Sequence, residues 1–85
     1  MSPEEAVRAA LVPRGLRERL RLRLAGGWTV PQLAARTGLD EATVRAALTA
    51  LGPAVRRRST KVRVYMAGKG HRDVLVDLWL PARPS

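Results

Sequence analysis

The chain has 85 residues, of which 16 are Lys or Arg and 7 are Asp or Glu, so its formal net charge is +9 at pH 7. This length allows one domain with a single modest core, and the absence of cysteine excludes disulfides, thiolate chemistry and cysteine-ligated zinc. No apolar run is long enough to cross a bilayer, so we expect a cytoplasmic protein with no membrane partner. The charge favours a polyanion such as DNA, RNA or an acidic protein surface.

The first predicted element is a short helix over residues 3–12. Ser2 can cap it, Pro3 suits the first helical position, and Pro13 ends it. Its apolar stripe is narrow and consists of Val7, Ala10 and Leu11. We therefore interpret this helix as an appendage that either packs on the core or serves a dimer contact.

The second predicted helix covers residues 14–25. Its leucines recur every four positions, with arginines between them, at Leu16, Leu20 and Leu24. This pattern predicts that the leucine stripe belongs to the core and that the arginines face solvent. The pair Gly26-Gly27 ends the helix.

A short β-favouring segment, residues 28–30, follows as a predicted strand stub that pairs with a later hairpin. Trp28 begins this segment. We interpret its indole as a core or sheet residue rather than as a platform for base stacking.

Two short helices, predicted over residues 31–37 and 41–51, are joined by a tight turn at Gly38. A glycine accepts the positive φ that such a turn requires. Asp40 precedes the second helix, where its carboxylate can accept free backbone N–H groups of the first turn. The inner side of the second helix is predicted to carry Val44, Ala47, Leu48 and Leu51.

Two segments with a period of two follow, and together they predict a β-hairpin over residues 61–80 with a glycine-rich basic tip. One apolar face is expected to cover the helices through Val62, Val64, Met66, Val74, Val76 and Leu78. The other face includes Leu75 and Trp79, which are expected to meet the N-terminal helix or a second subunit. Residues 81–85 are predicted to be a short tail.

Four residues fall at the offsets of the helix-turn-helix signature: Ala34, Gly38, Val44 and Leu48. The order helix, helix, strand stub, helix-turn-helix, hairpin also resembles the winged-helix family across nearly the whole chain. This resemblance implies an α+β fold with a three-helix core, a C-terminal β-hairpin wing and a short extra N-terminal helix. An ordinary helical hairpin with no nucleic-acid role is the alternative that the motif leaves open.

In the winged-helix family the second helix of the motif lies in the major groove. Carried onto this sequence, the resemblance implies base contacts from Thr43, Arg45, Ala46 and Thr49. Arg45 is the strongest base reader of the set and is suited to a guanine edge. Asp40 and Glu41 place negative charge at the helix start, which favours modest sequence specificity or a protein partner.

The densest positive run lies between that helix and the hairpin. We expect it to hold backbone phosphates through Arg56, Arg57, Arg58 and Lys61. The wing tip is expected to enter or follow a minor groove through Lys69, His71 and Arg72, with a solvated loop as the alternative. His71 is the single histidine, so no metal site is expected, and the scattered acids indicate neither a cofactor nor an enzyme.

These features predict a small, nucleoid-associated protein that binds double-stranded DNA, as a transcriptional regulator or as a phage or plasmid DNA-handling factor. A homodimer is expected, because dimers read paired half-sites. The alternative is a protein-interaction module of the same fold that docks on an acidic surface of RNA polymerase or another DNA-bound machine. RNA binding is a third option, which the charge permits and the scarcity of aromatic residues disfavours.

Overall fold

The computed structural model describes residues 2–82, which form four helices and one two-stranded antiparallel sheet. The helices are α1 (Pro3–Leu11), α2 (Gly15–Ala25), α3 (Val30–Thr37) and α4 (Glu41–Leu51). A short 3-10 turn, Gly52–Ala54, leads into strands β1 (Val55–Met66) and β2 (Gly70–Pro81). The fold class is therefore α+β, as the sequence predicts, with all four helices preceding the hairpin.

The core is formed mainly by α1, α3 and α4. Its fully buried side chains come from all three helices and are Val7, Leu11, Leu33, Val44 and Leu48. The start of α1 is fixed as expected, because the Ser2 hydroxyl accepts a hydrogen bond from the Glu5 N–H at 3.2 Å. Of the two roles expected for the N-terminal helix, packing on the core is confirmed. The helix is not an appendage, however, since its narrow apolar stripe is buried at the centre of the molecule.

The second helix, α2, directs its leucine stripe to solvent, so the prediction that this stripe belongs to the core is also wrong. No residue of α2 is buried, and the exposed fractions of Leu16, Leu20 and Leu24 are 73%, 52% and 88%. The helix is held from its opposite side, where Leu22 packs on the core and Glu18 pairs with Arg36 of α3 at 2.8 Å. The helix outside the three-helix core is therefore α2 rather than the N-terminal one.

The α3–α4 pair follows the predicted geometry closely. The bounds of α4 are those predicted, and Gly38 ends α3 with a φ of 76°, in the left-handed region. Thr29 and Gln32 form a capping box that begins α3 at Val30. Asp40 differs from expectation because its carboxylate accepts from the Thr43 hydroxyl and makes no hydrogen bond to the backbone of α4. A nearby hydroxyl is a local competitor for a capping carboxylate.

The hairpin is longer than predicted, because unbroken antiparallel pairing runs from the Val55–Pro81 pair at the base to the Met66–Gly70 pair at the tip. The predicted tail therefore begins after Pro81, and residues 83–85 lie outside the described residues. The strand stub is reduced to Trp28, which is buried as expected and exchanges two backbone hydrogen bonds with Trp79, at 2.8 and 2.7 Å.

The apolar face of the hairpin covers the helices only at its base. Leu78 is buried there, whereas Val62, Val64 and Met66 are each 42% exposed. The expectation that the whole face packs on the helices is thus wrong. The reason is the length of the strands, which extend beyond the helices. Residues 61–73 are all exposed, and the molecule with its hairpin measures 46 × 28 × 23 Å.

Replacement of Leu11 by Ala should destabilise the protein far more than replacement of Leu24 by Ala. Leu11 is fully buried, so the Leu11→Ala change leaves a cavity and should cost about 2–5 kcal/mol. Leu24 is exposed, and its truncation should change the free energy of unfolding by less than about 0.5 kcal/mol. Urea unfolding followed by circular dichroism measures both values, and the reverse ranking would contradict the central position of α1.

Candidate nucleic-acid interface

An open groove of about 450 Å³ lies between α4, the start of α3 and the base of the hairpin. We call it the basic groove. It is lined by side chains that include Val30, Pro31, Arg45, Thr49, Arg57, Leu75, Asp77 and Trp79. Two guanidinium groups and one carboxylate leave these walls with a net positive charge, and the uncharged part of the lining combines threonines with apolar side chains.

Arg45 reaches the basic groove with a guanidinium that is available to a ligand. Its side chain is 66% exposed, and it pairs with Glu41 of the same helix at an N–O distance of 3.7 Å. An exposed pair of this kind contributes little to stability, so Arg45 can exchange Glu41 for another acceptor. Thr49 lies one turn further along, where its hydroxyl donates to the Arg45 carbonyl at 3.0 Å and keeps its lone pairs free.

The other two predicted base-contacting residues of α4 do not line the basic groove. Thr43 is half-buried, and its hydroxyl donates to Asp40 at the start of the helix. Ala46 is exposed and offers only a methyl group. The groove therefore brings together Arg45 and Thr49 from the predicted set of four.

The three consecutive arginines of β1 do not form one cluster. Arg57 is opposite Trp79 in the sheet and shares the face that lines the basic groove. Arg56 and Arg58 are opposite Leu80 and Leu78, on the other face, because successive strand residues point to opposite sides. A duplex lying in the groove would face Arg57 and not its two neighbours, so the predicted set of phosphate contacts is divided.

On the other face, Arg58 lies against the end of α2. Its Nη1 atom is 3.5 Å from the position that a Cβ on Gly26 would occupy. Arg58 and Leu80 also line a second recess, of about 300 Å³, together with Arg19 and Leu22 of α2. The base of the hairpin thus separates the basic groove from α2.

Lys61 lies on the groove face of β1, because it stands four residues after Arg57 and strand side chains alternate. At about 3.3 Å per residue, it is roughly 13 Å further out along the strand. Lys61 is exposed on the same side of the sheet as Arg57.

The three predicted tip residues are exposed but do not share one face. Lys69 lies in the turn, where its N–H donates to the Met66 carbonyl at 3.0 Å. His71 is on the groove face, opposite Tyr65, and Arg72 is on the other face. These three side chains of the tip therefore point in different directions and do not form one focused site.

The sequence patterns do not predict the contacts of Arg36, which joins α3 to α1, α2 and Trp28. Its Nε donates to the Ala10 carbonyl at 3.0 Å, its two Nη atoms donate to Glu18 at 2.8 and 3.2 Å, and its guanidinium lies 4.2 Å from the centre of the Trp28 ring. The hydrogen bond from Arg36, assisted by the Arg14 N–H, lowers the pKa of the Glu18 carboxyl. A lone acid in an arginine-rich helix is the one sequence signal for this pairing.

Comparison with known proteins finds no match for the chain among protein-family models, curated proteins or solved structures. Across residues 2–82, no helix is long and apolar enough to span a membrane. In the same part of the chain, no three His, Asp or Glu side chains are grouped so that they could hold a metal ion. The function of the basic groove is therefore inferred from its geometry and charge.

The Glu18→Gln variant should be less stable than the wild type at neutral pH and should lose stability less steeply in acid. The pKa of Glu18 is lowered from 4.5 in the folded state. The ionised carboxylate thus stabilises the fold above the unfolded-state pKa, and this contribution is lost as the pH falls through the folded-state pKa. Thermal unfolding between about pH 7 and about pH 3 measures the difference, and the two Tm curves should converge at the acid end.

The matched control for this measurement is Asp73→Asn. Asp73 pairs with Arg63 at 3.9 Å on the exposed hairpin, and such a pair contributes little. Its Tm curve should run parallel to that of the wild type. A parallel curve for Glu18→Gln would instead show that the Arg36 pair does not stabilise the fold.

Proposed function

We propose that the protein is a winged-helix domain that binds duplex DNA, with α4 in the major groove and the hairpin as the wing. The order of the elements supports this layout, with α1, α3 and α4 as the three-helix core and the Trp28–Trp79 bridge as the link to the wing. The proposal rests on one observation: Arg45 and Thr49 of α4 and Arg57 of β1 line the same open groove, in a chain of net charge +9.

The proposed mechanism is physical occupancy of the duplex. The Arg45 guanidinium is suited to donate to the O6 and N7 atoms of a guanine, and the Thr49 hydroxyl can accept or donate beside it. Arg57 and Lys61 follow one face of β1 and would neutralise backbone phosphates. A DNA site that this protein occupies is closed to other proteins, which suits a transcriptional regulator or a DNA-handling factor. A homodimer would read two half-sites.

Two carboxylates near the basic groove favour modest sequence specificity. Glu41 lies beside Arg45, and Asp77 lines the groove while it accepts from the Ser59 hydroxyl at 2.9 Å. Both would repel a phosphate that approached closely. We therefore propose a site in which a few cations supply the affinity and Arg45 supplies most of the sequence discrimination.

Arg57→Ala should lower the salt dependence of duplex binding more than Arg58→Ala does. Each neutralised phosphate contributes about 0.9 to the slope of log K against log salt concentration, so loss of Arg57 should reduce the slope by about one unit. Arg58→Ala is a matched control, because it removes the same charge from the opposite sheet face. Fluorescence anisotropy with a labelled duplex over about 50–300 mM salt measures both slopes.

The same titration with single-stranded DNA and double-stranded RNA distinguishes the classes of nucleic acid, and duplex DNA should bind most tightly. Equal slopes for the two arginine variants would mean that the duplex does not occupy the basic groove. No duplex affinity at low salt would contradict DNA binding altogether and would favour a protein partner.

Arg45→Ala should reduce sequence discrimination more than it reduces total affinity. A bidentate arginine–guanine contact gives about 1–3 kcal/mol of discrimination against the wrong base. A preferred duplex selected from a random pool and a scrambled duplex should be compared for both proteins. Arg8→Ala, an exposed substitution on α1, controls for net charge, and an equal loss on both duplexes for Arg45→Ala would contradict base reading.

A protein-interaction module is the second candidate, and the apolar part of the basic groove favours it. Leu75 is 68% exposed in this groove, beside the half-buried Trp79. Apolar anchors next to two arginines suit an acidic segment on a machine such as RNA polymerase. Under this alternative Leu75→Ser would weaken binding to the partner, whereas under the DNA proposal it would leave duplex affinity nearly unchanged.

A further inference from the structure

The solvent-facing side of α2 carries a continuous apolar ridge. Leu16, Leu20 and Leu24 follow one another at intervals of four residues, and each is more than half exposed. With 3.6 residues per turn, the three side chains span about 80° of the helix circumference and about 12 Å of its length. We call these three residues the leucine ridge. Contiguous exposed leucines on an ordered helix indicate a docking surface rather than scattered surface apolarity.

Arginines border the leucine ridge on both sides. From the helical angles, two of them flank one side and two flank the other; they are Arg17, Arg21, Arg19 and Arg23, and all are exposed. Glu18, the only acid of α2, points the other way and is neutralised by Arg36. The immediate border of the ridge is therefore purely cationic, so its occupant must be apolar at the centre and anionic at the edges.

A second copy of this chain does not meet that requirement through its own leucine ridge. Ridge-to-ridge packing of two copies would bring together eight arginines, four from each α2, with no acid between them, and like charges at close range are repulsive. The apolar stripe of α1 is buried and cannot serve as the occupant. Nucleic acid would leave the leucines without an apolar partner.

The composition of α2 favours a protein helix over a membrane surface. Helices that lie in a membrane interface commonly carry Trp or Phe beside Leu on a broad apolar side, whereas α2 has no aromatic side chain and exposes three leucines. A ridge of about two turns suits the contact between two packed helices, in which rows of side chains four residues apart interdigitate. Because α2 is already fixed through Glu18 and ended by Gly26 in the left-handed conformation, the ridge is preformed and binding orders little of it.

We propose that the leucine ridge binds an amphipathic helix of a partner protein, one whose apolar stripe is flanked by Asp or Glu side chains. The ridge and the basic groove lie on different sides of the hairpin base, since α2 contacts the face that carries Arg58 and Leu80. A partner helix on α2 therefore leaves the basic groove open. The proposal does not depend on DNA binding, and with DNA bound the protein would act as an adaptor between a duplex and the acidic partner.

The probe is a synthetic helical peptide with a leucine every fourth residue, bordered on both sides by glutamates. Its binding to the wild type at about 150 mM salt, where long-range attraction is screened, should be compared with binding to the triple variant Leu16→Gln, Leu20→Gln, Leu24→Gln. Glutamine keeps the helix propensity close to that of leucine, and circular dichroism checks that α2 remains folded. We expect at least a tenfold loss of affinity in the triple variant and no loss in Val64→Gln, a control at an exposed apolar residue of the hairpin that lies outside both the ridge and the basic groove.

A charge-exchange pair tests the anionic edges of the occupant. Arg17→Glu combined with Arg21→Glu should weaken binding of the glutamate-bordered peptide and should restore it for a peptide with lysines along one border. Equal affinity of the wild type and the triple variant for the first peptide would overturn the proposal, because binding would then depend on charge alone. A wild-type dimer that is lost in the triple variant would also overturn the proposal, because the ridge would then bind a second copy. Binding to anionic vesicles that depends on the ridge and exceeds binding to the peptide would overturn it as well.

Discussion

The side chain of Arg36 is the contact on which the arrangement of the helices depends. Its guanidinium donates to the Ala10 carbonyl and to Glu18 while it lies over the indole of Trp28, whose Nε1 donates to the Leu11 carbonyl at 2.8 Å. Two backbone acceptors at the end of α1 are thereby satisfied, as helix ends require. The same contacts tie α1, α2 and α3 together. Because Glu18 faces Arg36, the opposite side of α2 lies outward.

The parts of the fold that sequence patterns predict are those fixed by local geometry. Gly38 and the bounds of α4 follow from turn and helix signals within a few residues, and the antiparallel strands follow from alternation. The assignment of the core helices does not follow, because periodicity shows that a helix has an apolar stripe but not what the stripe faces. The stripe of α2, with three leucines, is the stronger pattern, yet the weaker stripe of α1 is buried. The arrangement also includes contacts that no local pattern predicts, since Arg36 is separated by 18 residues from Glu18 and by 26 from Ala10.

The candidate site was predictable only in part, for a related reason. Arg45 and Thr49 follow from the phase of α4, whereas the separation of Arg57 from Arg56 and Arg58 follows only once β1 is known to start at Val55. The position of the hairpin depends on a close backbone approach at Gly27, where a Cβ would lie 2.8 Å from the Cβ of Leu78. That approach permits the Trp28–Trp79 bridge, which sets the hairpin base beside α3 and closes one side of the basic groove.

The distribution of the charge limits what a net value of +9 can explain. Arg45, Arg57 and Lys61 serve the groove side, but Arg56, Arg58 and the four arginines that border the leucine ridge lie elsewhere. A uniformly basic surface would attract any polyanion and discriminate among few of them. Discrimination requires neutral groups between the cations, and both surfaces have them: Thr49 and Leu75 in the groove, three leucines on α2. Under the two proposals, each surface selects its ligand by the shape and polarity of what lies between its arginines, while the total charge accelerates the approach of both.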